Sequence, residues 1–213
     1  MKTLVITGMS RGIGLETARI FLNKGWLVFG TSTQGASPLK HKYLKMYPLD
    51  LTNPQQINDF VNVLPRIDLL INNAAVLLED WDNANIDMMQ LRQTFAVNVF
   101  GAIELTEHCI PKLNDKAQII NLSSGWGSFS SNDTAYQAHY KMSKVCLNMY
   151  TKLLAERLPG ITVSSFDPGW VKTDMGTEHA PKLPSEAAQE LYTLVNTPKA
   201  SGCFWQKGRV RAW

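Results

Sequence analysis

Along the chain, hydrophobic and polar positions fall into two alternating patterns. Runs rich in apolar and β-branched residues occur at 4–6, 26–31, 43–47, 67–71, 118–122 and 161–166. Between them, buried-type positions return every three or four residues, as in the series Ile13, Thr17, Ile20, Phe21. An apolar run without strict alternation reads as a strand covered on both faces, and the longer period reads as a helix with one buried face. The pattern predicts a helix from residue 12 to about 23, stopping near Gly25, and another beginning after Pro54, a residue suited to a first helical turn. Further helical stretches are expected at 83–108, 136–158 and 185–195, with a last strand at 203–205. Residues 34–42, which include Gly35 and Pro38, read as a loop or a short, poorly formed helix. Strands alternating with helices at this rhythm predict an α/β fold: one domain spanning residues 1–213, built on a doubly wound, Rossmann-like, mostly parallel sheet of about seven strands with helices on both faces.

Composition narrows the functional classes. Apolar residues make up 45% and charged residues 18% of the 213 residues, which is ordinary for a globular chain, and a net charge of +3 with no basic stripe gives no reason to expect nucleic acid as a partner. The apolar run in the opening MKTLVITG is too short for a secretory segment, and no run approaches a membrane span. Cys109, Cys146 and Cys203 lack the spacing of a disulfide framework or a zinc site. A reduced, soluble, cytoplasmic protein with no membrane partner and no metal is the expectation.

A sheet of this kind binds ligands beyond the carboxyl ends of its strands. The first predicted strand ends in Thr7-Gly8-Met9-Ser10-Arg11-Gly12-Ile13-Gly14, a glycine-rich passage into a helix. Glycines there can take positive φ and bare their backbone, so that N–H groups and the positive helix end approach a diphosphate. The GxxxGxG spacing differs from GxGxxG, and a plain glycine-rich turn is the alternative. At the end of the second strand, Thr31-Ser32-Thr33 offers hydroxyls where an NAD site would carry an acidic residue. With the Arg11 guanidinium nearby, this favours NADP(H), the alternative being that Arg11 is a solvated turn residue. Tyr140 and Lys144 lie four apart on one predicted helix face.

Taken in order, TGMSRGIG at 7–14, DLT at 50–52, NNAA at 72–75, the asparagine of VNVFG at 97–101, SSG at 123–125, YKMSK at 140–144 and PGWVKTDM at 168–175 resemble the short-chain dehydrogenase/reductase family. The ending SGCFWQKGRVRAW is similar to its carbonyl-reductase and C-factor-like branch. Ala75 replaces the last glycine of the usual NNAG, a small departure that tightens the turn. The resemblance implies hydride transfer between NADP(H) and a small carbonyl or alcohol substrate. Tyr140 would be proton donor, Lys144 would lower its pKa, and Ser124 would hold the substrate oxygen, with Ser123 as the alternative serine. Asn98 would support a water-linked proton path to the lysine. For the cofactor, the resemblance implies Gly8, Ser10, Arg11, Gly12, Ile13 and Gly14 at the phosphates, Thr31, Ser32 and Thr33 at the adenosine ribose, and Asp50 and Leu51 at the adenine. Asn72 and Ala74 would flank ribose and diphosphate, while Tyr140, Lys144, Pro168, Gly169, Val171 and Thr173 would line the nicotinamide.

Only ten residues separate Thr173 from Pro184. Such a short cover predicts an open, undiscriminating pocket lined by Trp126, Phe129, Trp170 and Met175. A homodimer is expected, with a tetramer as the alternative, and Phe95, Val99, Leu147 and Tyr150 are available either to that interface or to the core. A second function, dinucleotide sensing or scaffolding without catalysis, has no need of Ser124, Tyr140 and Lys144 together.

Overall fold

Each strand must bury side chains on both of its faces, and this requirement explains the uninterrupted apolar runs. In the computed structural model, which describes residues 1–131 and 134–213, the strands are β1 (Thr3–Ile6), β2 (Leu27–Ser32), β3 (Leu44–Pro48), β4 (Ile67–Asn72), β5 (Leu113–Leu122), β6 (Thr162–Phe166), β7 (Cys203–Gln206) and β8 (Arg209–Arg211). They form one sheet in the order β3-β2-β1-β4-β5-β6-β7-β8, parallel except for the last pair. Alternate residues feed different cores. Leu70 packs with Val5, Phe29, Ile57, Phe60, Leu105 and Ile119 on one face. Its neighbours Leu69 and Ile71 pack with Ile6, Phe21, Ile120, Phe166 and Leu191 on the other.

The helices are α1 (Gly12–Asn23), α2 (Pro54–Asn62), α3 (Met88–Phe95), α4 (Ala102–Cys109), α5 (Ala138–Arg157) and α6 (Pro184–Asn196). Pro54 stands at the start of α2, where Asn53 caps by accepting from Gln56 N. No helix among the described residues is long and apolar enough to cross a membrane.

Three elements differ from the sequence reading. The helical stretch expected at 83–108 starts only at Met88, because the Asp87 carboxylate accepts from Met89 N and Gln90 N and so caps the helix there. It is then widened into a π-helical turn at Ala96–Gly101, where a Cβ on Gly101 would come within 2.4 Å of the Leu51 carbonyl oxygen. β5 begins five residues early, at Leu113, and slips register opposite Ile67 and Leu69, with Lys116 at φ 63°. Finally, β8 is an eighth, antiparallel strand, turned back on β7 by Lys207 and Gly208 at φ 47° and 72°.

Val99 and Leu147 belong to the core, whereas Phe100, Met149 and Leu153 are exposed.

Below the carboxyl ends of the central strands runs a buried polar chain. Asn72 Nδ2 donates to Thr106 Oγ1 and Asn121 Oδ1, Asn121 Nδ2 donates to Thr151 Oγ1, and Ser165 Oγ reaches the same Thr151 oxygen. This chain ties β4, β5 and β6 to α4 and α5. Replacing Asn121→Ala strands the groups on either side of it, and a buried unsatisfied group costs about 1–3 kcal/mol. The expected outcome is a loss of roughly 2–4 kcal/mol, read as a lower urea midpoint at unchanged slope.

Candidate active site

The cleft opens where β1 and β4 lie side by side while their crossovers lead to opposite edges of the sheet. Thr7 Oγ1 accepts from Asn73 N and Ala74 N at 3.1 and 3.0 Å, and Asn73 Nδ2 donates to the carbonyls of Thr7 and Gly8 at 2.8 and 3.0 Å. These bonds fix the glycine turn. Gly8 and Gly12 adopt left-handed φ of 66° and 58°, which glycine takes without strain. A Cβ on Gly14 would lie 2.5 Å from Gly8 O, so the helix can approach the strand only with glycine there. α1 starts at Gly12 with no side-chain cap and no acidic residue in its first turn. Its positive end and first N–H groups therefore suit a diphosphate.

Opposite the turn, β5 delivers Ser123 and Ser124 and α5 delivers Tyr140 and Lys144, all lining a cleft of about 800 Å³. Ser124 stands near enough to Tyr140 to favour ionisation of its phenol, and the Ser123 hydroxyl is buried without a hydrogen-bond partner among the described residues. Lys144 Nζ sits 5.3 Å from the Tyr140 ring centroid and donates to Leu122 O at 2.8 Å. Burial pulls the Lys144 pKa down to about 8. It pushes Tyr140 above the ordinary phenol range, the Asp167 carboxylate adds to the rise, and Ser124 opposes it. Without a cofactor in the cleft, burial of the phenol is the largest influence on Tyr140, and burial also disfavours the charge of Lys144.

Asn98 lies in the π-helical turn, where its side chain is bonded to Val76 and Ser143. Oδ1 accepts from Val76 N, and Nδ2 donates to Val76 O at 2.8 Å and to Ser143 Oγ at 3.1 Å. Ser143 in turn donates to Tyr140 O at 2.7 Å. Asn98 therefore reaches the neighbour of Lys144 and the backbone of Tyr140, and it acts as a positioning residue. Glu79 was not foreseen. Its buried Oε1 accepts from His139 N at 2.6 Å and Tyr140 N at 3.2 Å, supplying the cap that Gln137, at φ 53°, does not give. His139 is fully buried, and its Nε2 accepts from Asp87 N at 3.2 Å, so it acts as a strut between α5 and α3.

Arg11, Gly12, Ile13, Gly14, Ser124, Tyr140, Lys144, Pro168, Gly169, Val171 and Thr173 line the cleft. Other expected contacts lie elsewhere. Asn72 is turned into the interior, and Asn73 takes the place beside the glycine turn. Gly8 packs on Ala74, where a Cβ would meet Ala74 Cα at 2.9 Å, and Ser10 is half-buried in the turn. The Ser32 hydroxyl bonds Ala36 N and O, Thr31 is buried, and Thr33 is exposed. Asp50 Oδ1 accepts from Thr52 N and Oγ1, and Leu51 is buried against Gly101. Of the expected pocket aromatics, Trp126, Trp170 and Met175 line the cleft, whereas Phe129 is 81% exposed and outside it, and Leu77 and Trp81 line the cleft unexpectedly. Gln206 and Arg211 also reach it from the C-terminal hairpin.

The position of Tyr140 depends on the Glu79 cap. For Glu79→Ala, the expected outcome is a loss of roughly 0.5–2 kcal/mol, read as a lower thermal midpoint. Glu79→Gln, which keeps an acceptor oxygen, is expected to recover most of it.

The short chain dehydrogenase family model matches residues 2–184. The chain is 30% identical to a short-chain type dehydrogenase/reductase, VdlC, of Helicobacter pylori over 92% of this chain and 74% of that protein. It is 25% identical to (+)-neomenthol dehydrogenase of Arabidopsis thaliana, over 97% of this chain and 96% of the relative. Among solved structures, carbonyl reductase Sniffer of D. melanogaster superposes with a TM-score of 0.92 at 27% identity, with 100% of each chain covered. A Burkholderia multivorans short-chain dehydrogenase/reductase solved with bound NADP shares the fold, at TM-score 0.91 and 24% identity over 100% of this chain and 99% of the other. With the glycine turn, serine, tyrosine and lysine gathered in one cleft, the chain belongs to the short-chain dehydrogenase family of oxidoreductases.

Proposed function

We propose that the protein is an NADP(H)-dependent reductase of small carbonyl compounds (aldehydes, ketones or quinones), with Tyr140 as proton donor. The observation that carries this reading is the gathering of Ser124, Tyr140 and Lys144 in one cleft, with Lys144 beside the tyrosine ring and the uncapped start of α1 lining the same cleft. Bound NADPH would supply the hydride. Gly12, Ile13 and Gly14 would hold its diphosphate, and Pro168, Gly169, Val171 and Thr173 would border its nicotinamide. Ser124 would donate to the substrate oxygen, as an oxyanion donor does. Tyr140, kept neutral by burial, would release its proton to that oxygen as hydride reaches the carbon. Lys144 would orient the ring and help to stabilise the phenolate left behind.

Preference for the phosphorylated cofactor rests on Arg11. Its guanidinium stands at the mouth of the cleft, paired at 2.9 Å with Asp174, and both side chains are largely exposed. A pair so exposed is worth little, so a dinucleotide phosphate can displace Asp174 at small cost. The adjoining end of β2 carries Thr31, Ser32 and Thr33 and no carboxylate that would repel that phosphate.

Under this reading Tyr140→Phe lowers turnover by roughly 10²–10⁴-fold while NADPH affinity, followed by fluorescence titration, stays near wild type. Ser124→Ala costs roughly 10²–10³-fold and Ser123→Ala far less. Arg11→Ala weakens NADPH by roughly 10- to 100-fold and leaves NADH unchanged. Undiminished turnover in Tyr140→Phe would reject the mechanism, and an equal loss of both cofactors in Arg11→Ala would reject the basis for NADP(H).

A further inference from the structure

One wall of the active-site cleft is a row of aromatic rings that the reaction scheme leaves unused. The Tyr140 ring meets the Trp126 ring edge to face with centroids 6.1 Å apart, and Trp126 meets Trp81 in the same manner at 5.9 Å. All three residues line the cleft, so the row leads outward from the phenol. Trp81 at its outer end is 45% exposed, which leaves indole surface open to a ligand.

The open ring is nevertheless held. Trp81 lies in the loop after β4, and that loop is fastened to the start of α5 at two points. Glu79 Oε1 accepts from His139 N and Tyr140 N, and Gln137 Nε2 donates to the carbonyls of Asp80 at 3.2 Å and Trp81 at 2.8 Å. Gln137 is buried and takes a left-handed φ of 53°, a costly conformation for a residue other than glycine. Its side chain gives α5 no cap and serves the Trp81 loop instead. Behind the middle of the row, Lys141 Nζ sits 5.3 Å from the Trp126 ring centroid and donates to Thr134 O. Elsewhere in the cleft, Asp167 and Arg211 are bonded to each other at 2.9 Å and Gln206 is bonded to both, so this charged group is engaged within itself.

We propose that the substrates are aryl carbonyl compounds whose ring lies along Trp126 and Trp81 while the carbonyl oxygen is at Tyr140, and that Gln137 is the positioning residue that holds Trp81 in this wall. The substrate class rests on the carbonyl-reductase reading. An aromatic ring gains from edge-to-face or offset packing on an indole beyond the area it buries, whereas a saturated ring of similar size gains only the area. Because the indoles are fixed before the substrate arrives, little ordering opposes binding.

The test compares 2-naphthaldehyde, cyclohexanecarboxaldehyde and butanal with NADPH, read as ratios of kcat/KM so that a general loss of activity divides out. In Trp81→Ala the ratio of 2-naphthaldehyde to butanal is expected to fall roughly 10-fold, and Trp81→Phe should recover most of that loss. The ratio of cyclohexanecarboxaldehyde to butanal should fall much less. Gln137→Asn tolerates the left-handed backbone but is one methylene too short to reach both carbonyls. It should lower the naphthyl ratio in the wild-type background and lower it no further in Trp81→Ala. As a readout without turnover, equilibrium dialysis with NADP⁺ present should show 2-naphthylmethanol held less tightly by Trp81→Ala than by wild type, with a smaller difference for cyclohexylmethanol. An unchanged naphthyl ratio in Trp81→Ala, or an equal fall for the saturated ring, would overturn the substrate class. A full further fall from Gln137→Asn in the double variant would overturn the role of Gln137. Wild-type protein that reduces none of the three aldehydes would instead refute the proposed function, and the dialysis would still decide the inference.

Discussion

The lock between Thr7 and Asn73 is the interaction on which the rest of the site depends. It lies where neighbouring parallel strands send their chains to opposite edges, so no crossover covers the crevice. Without the four hydrogen bonds there, the bared backbone of the glycine turn would have no fixed position relative to β4. Everything chemical is arranged against this fixed floor: the uncapped start of α1 on one side, and the serine and tyrosine from β5 and α5 on the other. The polar chain from Asn72 through Asn121 to Ser165 continues the same task underneath, holding β4, β5 and β6 in step where their ends present functional groups.

Burial disfavours the charged form of both Tyr140 and Lys144, so a bound positive charge would matter to the phenol. Burial raises Tyr140 and lowers Lys144 in the protein without its cofactor. For the proposed reduction a neutral phenol would be the useful state, because it can donate a proton. The reverse reaction needs the phenolate, which the positive charge of an oxidised nicotinamide would favour. Helix positioning is handled separately, by Glu79 at the first turn of α5 and by Asn98 through Ser143.

Much of this was legible in the sequence, for local reasons. The apolar runs and the helical period marked nearly every element, since each parallel strand is covered on both faces. The glycine turn, Ser124, Tyr140 and Lys144 sit at strand ends or on one helix face, where spacing alone places them. The π-helical turn was hidden because it arises from contacts distant in sequence, Gly101 against Leu51 and Asn98 against Val76. β8 was hidden because Arg-Val-Arg is too short and polar to register as a strand. Glu79, Gln206 and Arg211 act across the fold on residues far away in sequence, and no local period carries that information. Asn72 turns into the interior and Asn73 toward the glycine turn, since successive side chains of an extended chain point to opposite faces.

The central claim is that hydride passes within this cleft from the nicotinamide to a carbonyl carbon whose oxygen lies at Tyr140. NADPH deuterated at the transferring position of the nicotinamide ring, incubated with the enzyme and an aldehyde or ketone, tests it most directly by mass spectrometry of the product. The account predicts an alcohol carrying deuterium on the former carbonyl carbon, with NADP⁺ formed in equal amount. NADPH that binds without being oxidised across a broad carbonyl panel, or an alcohol without the label, would contradict it.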